Sequence, residues 1–378
     1  MRDTSNFIIS ALVNCLLLTF IYVLFTGCGG NYSSQHTYQI NVDTVKFKIS
    51  AEFLDYYAIY DILDEENLFV GYNHFNHSLQ FIDLHSKETK QTIKLERDGP
   101  SRIKTLSELL LLEDKIYLKT VPEWITIDHN GKVLERVNYS NLAEDLNNEY
   151  IIGGGFTISY TIKRELSIDQ KSVYMRLYPV NLEANTPEFY TAPLFCKLNF
   201  DTKSVEIDPF LPYPELFRSG INYGILDKPS IIELEDRLVY SFPNHSTIYV
   251  YDLKDSSISA NMVKSKKIDS VVDINQNGTL RDVMKSSLLG DTYHPIIYDK
   301  FRDLYYRVIR VIDETKDEKE YYLQIINNEF KVLEEIELPD DKVYQNRYEV
   351  TREGLYFQLM SSRGNIFSYM LVDVQVEQ

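Results

Sequence analysis

The sequence predicts an all-β fold: a six-bladed β-propeller of four-stranded antiparallel blades, preceded by a lipoprotein signal peptide. Three observations lead there. Paired apolar strand patterns recur at a spacing of about fifty residues. Tyrosine is abundant, at 29 residues, and suits a packed, pleated surface better than a helix. The first thirty residues run from a charged start through an apolar core to small residues and a cysteine.

At the N-terminus, Arg2 supplies a positive charge that Asp3 offsets. An apolar core then extends from Phe7 to Phe25, broken only by Ser10, Asn14 and Thr19. It ends in Thr26-Gly27-Cys28, followed by Gly29 and Gly30. A peptidase at a membrane surface needs a slim, extended substrate, so small residues before the cut favour cleavage here. The junction resembles the bacterial lipobox, although Phe25 is bulkier than usual there. The resemblance implies cleavage before Cys28 and acylation of its thiol. Buried methylenes contribute about 0.8 kcal/mol each, so two or three chains hold a protein on a bilayer far more firmly than one. The competing reading is an uncleaved N-terminal helix, since the apolar stretch is almost long enough to span. The expected division is a signal peptide over 1–27, a lipidated cysteine with a polar tether over 28–37, and a propeller over 38–378.

Cleavage would remove Cys15 and leave only Cys28 and Cys196, with no CxxC pair and no metal-type cluster. Cys196 lies in the apolar run Leu194-Phe195-Cys196-Lys197-Leu198 and reads as a buried thiol. The formal net charge is −17, and losing residues 1–27 removes one Arg and one Asp, leaving it unchanged. Such a surface repels phosphate backbones, which argues against nucleic acid as a partner.

Six strand pairs carry the repeat. Asn67-Leu-Phe-Val-Gly-Tyr pairs with Leu79-Gln-Phe-Ile-Asp-Leu, and Lys115-Ile-Tyr-Leu-Lys with Trp124-Ile-Thr-Ile-Asp. Ser172-Val-Tyr-Met-Arg-Leu pairs with Leu194-Phe-Cys-Lys-Leu-Asn, and Arg237-Leu-Val-Tyr-Ser-Phe with Ile248-Tyr-Val-Tyr-Asp-Leu. The last two are Asp303-Leu-Tyr-Tyr-Arg-Val with Tyr322-Leu-Gln-Ile-Ile-Asn, and Gly354-Leu-Tyr-Phe-Gln-Leu with Ile366-Phe-Ser-Tyr-Met-Leu. Several second strands close on Asp or Asn followed by turn-type residues. Each pair reads as the middle of a four-stranded unit, with units beginning near residues 56, 106, 156, 228, 294 and 346. Radial closure of six such units hides most sheet edges, whereas a sandwich accommodates this repeat poorly. The sixth unit runs out of chain after Val374, and the early strand Tyr38-Gln-Ile-Asn-Val-Asp-Thr-Val-Lys-Phe is placed to supply its outer strand. Helix signals are short and confined to Leu142–Asn148 and Leu280–Leu289.

Two stretches carry a family resemblance: Val239-Tyr-Ser-Phe-Pro-Asn-His-Ser-Thr-Ile-Tyr-Val-Tyr-Asp-Leu and Tyr293-His-Pro-Ile-Ile-Tyr-Asp-Lys-Phe-Arg-Asp-Leu-Tyr-Tyr-Arg. They resemble the Bacteroidota lipoproteins with TolB-like six-bladed propellers, a family of unassigned function. The resemblance implies a fold and a cell-envelope address, with no chemistry attached.

In a propeller, the loop between strands two and three shares one face with the connection from each outer strand to the next blade. Loops on a rigid scaffold carry function, so that face is the expected ligand face. It gathers His74 and His77 from blade one, Pro122, Glu123 and Trp124 from blade two, Asn244 and His245 from blade four, and Arg363 and Asn365 from blade six. Arg97-Asp-Gly-Pro-Ser-Arg102 and Tyr293-His294 open onto the same face. Asn76-His77-Ser78 and Asn244-His245-Ser246 repeat one another. A shared metal or acid–base site is the sharp reading, since neutral imidazole ligates metals and titrates near neutrality. The plainer reading is that Asn, His and Ser serve tight turns.

Other motifs are weak. Asp273-Ile-Asn275-Gln-Asn277-Gly278-Thr279 matches the first half of a calcium loop, but Met284 stands where the bidentate glutamate belongs. Gly153-Gly154-Gly155 lacks the Lys-Ser/Thr partner of a phosphate loop. There is no GxSxG elbow and no HExxH pair. No catalytic residue, metal or cofactor is therefore expected. The function expected is non-catalytic: an envelope lipoprotein, anchored in the outer membrane, whose loop face binds a protein, peptide or glycan. The alternative is an envelope lyase or hydrolase using a histidine-lined central pocket. Cys28→Ala should abolish acylation and leave an uncleaved precursor. Incorporation of an acyl-chain analogue in cells checks this, and equal label in variant and parent would refute the anchor.

Overall fold

Each apolar strand pair forms the middle of a four-stranded antiparallel sheet, and six such sheets make up the propeller. The computed structural model describes residues 37–48, 59–63, 67–86, 88–112, 114–153, 171–183, 186–207, 209–219, 224–268, 290–313, 318–339, 343–359 and 366–377. Residues 41–373 form one compact unit, while 37–40 and 374–377 group separately.

Strand β1 (Thr37–Lys48) belongs to the last sheet. Blade one comprises β2 (Tyr60–Leu63), β3 (Leu68–Asn73), β4 (Ser78–Asp83) and β5 (Thr89–Lys94). Blade two comprises β6 (Glu108–Leu111), β7 (Ile116–Lys119), β8 (Glu123–Ile127) and β9 (Val133–Asn138). In blade three these are β10 (Tyr150–Ile152), β11 (Ser172–Pro179), β12 (Phe195–Asn199) and β13 (Ser204–Glu206). Blade four has β14 (Ser230–Glu233), β15 (Arg237–Ser241), β16 (Thr247–Asp252) and β17 (Ile258–Met262). Blade five has β18 (Thr292–Asp299), β19 (Leu304–Asp313), β20 (Glu318–Asn327) and β21 (Val332–Leu338). Blade six has β22 (Val343–Val350), β23 (Leu355–Leu359) and β24 (Ile366–Glu377), and its fourth strand is β1, in the order β1-β24-β23-β22. The early strand thus completes the sheet that the C-terminal segment leaves one strand short.

Strand periodicity explains why the middle strands read as continuous apolar runs. Successive side chains of a strand point to opposite sheet faces, and in a propeller both faces meet a neighbouring blade. In β3, Leu68, Val70 and Tyr72 pack towards blade two with Leu109, Leu111 and Leu118. Phe69, between them, packs the other way against Tyr356 and Tyr369 of blade six. In β7, Ile116 and Leu118 face blade one, while Tyr117 faces blade three and stacks on Phe200 at 4.1 Å between ring centroids. The same alternation recurs in β11, where Val173, Met175 and Leu177 face blade two and Tyr174 faces blade four. Cys196 is buried in the blade two–three interface, as the apolar run around it predicted.

Polar contacts between blades fix how the sheets meet. Asp61 on β2 accepts the Leu111 N–H of blade two at 2.7 Å, and Ser230 on β14 accepts the Ile296 N–H of blade five at 3.4 Å. Blade five joins blade six through Arg302, which donates to the carbonyls of Thr351 and Arg352 at 3.1 and 2.9 Å and pairs with the buried Asp299 at 3.2 Å. The Asp or Asn that closes each outer hairpin has a mechanical role. Asp83, Asp128, Asn199, Asp252 and Asn327 each accept backbone N–H groups two to four residues on, building an Asx turn.

Some details depart from the expected pattern. Blade three starts at Tyr150, earlier than residue 156, because β10 precedes the glycine run; Gly153 follows it at φ +59°, a conformation glycine adopts without strain. The helix signal at Leu142–Asn148 is a 3-10 turn over Asn141–Leu146, closed by Asn147 in the left-handed region. The longer connections of blade three contribute Phe189, Tyr190, Tyr213 and Phe217, which fill the wedge against Phe242 and Tyr249 of blade four. The calcium-like loop and the Leu280–Leu289 signal lie outside the described residues.

Deleting residues 38–48 would strip the outer strand from blade six and expose β24 along its length. Its expected effect is a fall in melting temperature on the order of 5–10 °C. An unchanged thermal unfolding curve would contradict the closure.

Candidate functional site

The loop face is built from the connections between second and third strands and those between blades. Just beneath it, every blade buries a polar or charged side chain in its second strand: Asn73, Lys119, Arg176, Ser241, Arg307 and Gln358. Some of them hold loops in place: Asn73 accepts the Phe75 and Asn76 N–H groups of its own turn at 3.1 and 3.4 Å.

His77 shows how. It sits at φ +54° in the β3–β4 turn and is buried. Its Nε2 lies 2.7 Å from the Ile103 carbonyl, and since a carbonyl only accepts, Nε2 carries the proton. Nδ1 therefore accepts from the Tyr72 hydroxyl at 2.8 Å. Both ring nitrogens are thus committed within the protein, pinning the connection after β5 against the turn. His74, three residues earlier, is exposed and lies beside the Phe75 ring at 4.1 Å.

His245 is half-buried, and its Nδ1 accepts the Thr247 N–H at 3.1 Å, closing its own turn. Burial, then the neighbouring Arg307 charge, lower its pKa. His294 lies on β18 and is buried, edge-on to Tyr321. Desolvation first, then Arg310 and Arg307, push its imidazole down to about 3, so it is neutral at physiological pH. The unfolded chain takes up that proton more readily, so this contribution to stability is full above 6.5 and is lost as pH falls below it.

Trp124 belongs to β8 rather than to the loop, and it is buried. Phe200 meets it edge-on at 5.6 Å, and the Lys119 ammonium stands 5.5 Å from its ring centre. Cys28 and Arg363 lie outside the described residues. The structure thus places His77, Trp124 and His294 inside the walls and His74 on the surface. Among the described residues, no group of three or more His, Cys, Asp or Glu is spaced to hold a metal ion.

The side chain that organises this face was not singled out in the sequence. Arg307 on β19 is fully buried. Its Nη2 donates to the carbonyls of Phe242 and His245 at 2.9 and 2.8 Å, its Nη1 to Ser246 at 3.0 Å, and its Nε to His294 at 3.3 Å. The Tyr293 ring lies 4.2 Å from the guanidinium carbon. Burial pushes this guanidinium down to about 9, opposed by Tyr293, so it remains a cation at neutral pH. Four carbonyl dipoles solvate the charge in place of water and lock the β15–β16 loop to blade five. Arg176 plays a related part in blade three: it pairs with Asp227 at 3.1 Å and donates to the Tyr213 hydroxyl at 2.9 Å. Burial opposes its charge, but Asp227, Tyr213 and Tyr178 together outweigh that and raise its pKa. The available signal was a cation inside a run otherwise apolar on both faces, Leu304-Tyr-Tyr-Arg-Val-Ile and Ser172-Val-Tyr-Met-Arg-Leu.

His77→Ala removes the side-chain partner of the Ile103 carbonyl and one partner of the Tyr72 hydroxyl, and should cost about 2–3 kcal/mol. His74→Ala should stay within about 0.5 kcal/mol. Urea unfolding of both variants checks the contrast, and equal midpoints would refute the role given to His77.

Comparison with known proteins agrees with this architecture. A crystal structure of a DUF4221 family member from Bacteroides vulgatus ATCC 8482 superposes with a TM-score of 0.74 at 18% identity, covering 91% of this chain and all of that one. The β-propeller domain of Myceliophteria thermophila Cps50 (Swd1) matches with a TM-score of 0.45 at 6% identity, over 87% of this chain and 99% of that one. Kuenenia stuttgartiensis hydrazine synthase matches at 0.43 and 9%, over 79% of this chain and 72% of that one. No curated protein matches the chain. The model of DUF4221, a domain of unknown function, matches residues 30–337, and the chain belongs to that family.

Proposed function

We propose that this protein is a non-catalytic envelope lipoprotein whose propeller binds a protein or peptide partner at its loop face. The observation that carries the binding face is the distribution of exposed apolar side chains. Phe75, Val121, Val180, Leu182 and Phe210 all project from loop-face connections of blades one to four. Phe75 is 72% exposed and Val121 70%. Among the described residues, the turns of the opposite face expose one large apolar side chain, Leu253. A chain carrying a net charge of −17 has ample polar material for its surface, and grouped apolar exposure on such a surface marks an interaction site. The aliphatic share of the group favours a protein or peptide over a glycan, because aliphatic side chains gain by covering apolar surface, and the hydroxyl-rich edges of a sugar offer little of it.

The buried layer supports binding over catalysis. His77 spends both nitrogens on structure, His294 is neutral inside the wall, and Arg307 is enclosed by carbonyls. Such groups stiffen loops, and a stiff face loses less entropy on association. The anchor rests on the Thr26-Gly27-Cys28 junction, and Gly29-Gly30-Asn31 after it, with no Asp next to the cysteine, favours the outer membrane.

Photo-reactive side chains at Phe75, Val121 and Phe210 should each give an adduct with the same envelope protein in cells, while one at Leu253 gives none. The double variant Phe75→Asp with Phe210→Asp should reduce adduct formation at Val121 at least tenfold. Equal labelling from both faces, or none from the loop face, would overturn the reading.

A further inference from the structure

Every blade ends in an outer strand whose free edge is a template for pairing with another chain, and proteins guard such edges with charge or brevity. Five of the six edges here are guarded. Lys90 and Lys94 lie in β5, Glu135 and Arg136 in β9, and Glu334, Glu335 and Glu337 in β21; β1 carries Asp43 and Lys46, and β13 has three residues including Glu206. The sixth, β17, reads Ile258-Ser259-Ala260-Asn261-Met262 and has neither charge nor proline. Ile258 is 43% exposed and Met262 75%.

We propose that β17 is a homotypic docking edge, on which a second copy of this chain pairs antiparallel about a two-fold axis at Ala260. The backbone has the required parity. Asp252 N–H donates to the Ser257 carbonyl and Val263 N–H to the Ser246 carbonyl, and the β16–β17 register is unbroken between them. Ladder bonds alternate along a strand, so residues 257, 259, 261 and 263 turn their N–H and C=O groups inward to β16. Those of Ile258, Ala260 and Met262 turn outward. A two-fold at Ala260 sets Ala260 opposite its own copy and Ile258 opposite Met262, so each outward residue exchanges both bonds with its counterpart.

The side chains agree with that axis. Ile258 and Met262 meet across the seam on one sheet face, with the small Ala260 between them. Ser259 meets Asn261 on the other face. Lys254 and Asp255 of one copy come to the strand end where Lys264 and Lys266 of the other lie, all four exposed, so Asp255 offsets part of the positive charge there. The seam is uncharged within a chain of net charge −17, which otherwise repels its own copies. This surface is distinct from the apolar loops of the binding face, and either reading survives failure of the other.

Cysteine cross-linking of the full chain in membranes tests the axis. A hydrogen-bonded antiparallel pair places Cα atoms about 5.5 Å apart, within the roughly 4.4–6.8 Å that a disulfide spans. Ala260→Cys should oxidise to a species of twice the chain's mass. Leu134→Cys, also at an exposed position on an outer strand, β9, should remain a monomer. Adding Ile258→Lys and Met262→Lys to Ala260→Cys should cut the cross-linked yield at least tenfold with an unchanged melting temperature. Cross-linking no greater than for Leu134→Cys, a yield insensitive to the two lysines, or an adduct with a protein of different mass would overturn the proposal.

Discussion

The structure depends on one constraint: the two middle strands of every blade are buried on both faces. A strand can divide its side chains between two neighbours only by strict alternation, so Phe69 packs on blade six while Leu68 and Val70 pack towards blade two. One missing neighbour would expose half of each adjacent strand. The blades therefore stabilise one another around a closed ring, and closure requires the early strand β1 to stand beside β24. Tyrosine suits this design because its ring fills the gap between sheets while its hydroxyl reaches the rim. Tyr306 donates to Asp299 at 3.0 Å, Tyr174 to Glu233 at 3.2 Å, and Tyr356 to Glu353.

Burial on both faces makes a charge in a middle strand costly, and the exceptions show where the fold needs order. An uncompensated buried guanidinium is strongly unfavourable. Arg307 meets four carbonyls and a tyrosine ring, and Arg176 meets Asp227 and Tyr213. In both cases most partners come from connections on the loop face, which lack a ladder of their own; His294 and Tyr293 belong to strand β18. The cation supplies bonds that regular pairing cannot, so the loops are held from below and their upper surfaces stay available.

The same logic decides what was legible in the sequence. Apolar runs closed by Asp or Asn revealed the strand pairs, because an Asx turn needs a short polar side chain at a fixed offset, as Asp128 and Asn327 show. The count of strands in the sixth unit revealed the role of residues 38–48, since an incomplete sheet must find its edge elsewhere. Side-chain destinations near the loops were not legible. His77 and His74 are three residues apart in one turn, yet only His77, at positive φ, turns inward to the Ile103 carbonyl from a connection twenty-six residues away. Trp124 stands beside the same kind of turn, but its alternation parity sends it into the blade two–three interface. A residue's chemistry is visible in the sequence; its partner across a long connection is not.

Two kinds of exposed surface remain once the buried layer is assigned, and they differ in physical character. The loop face offers separated apolar side chains on braced turns, a surface that gains free energy by covering individual anchors. Strand β17 offers backbone donors and acceptors in a regular row, which any extended chain of matching register satisfies. A protein that leaves such a row bare while charging its other five edges has lost its usual guard against aggregation at one place only. A self-complementary seam resolves that conflict, because pairing about a two-fold closes after two copies and leaves no edge free to grow.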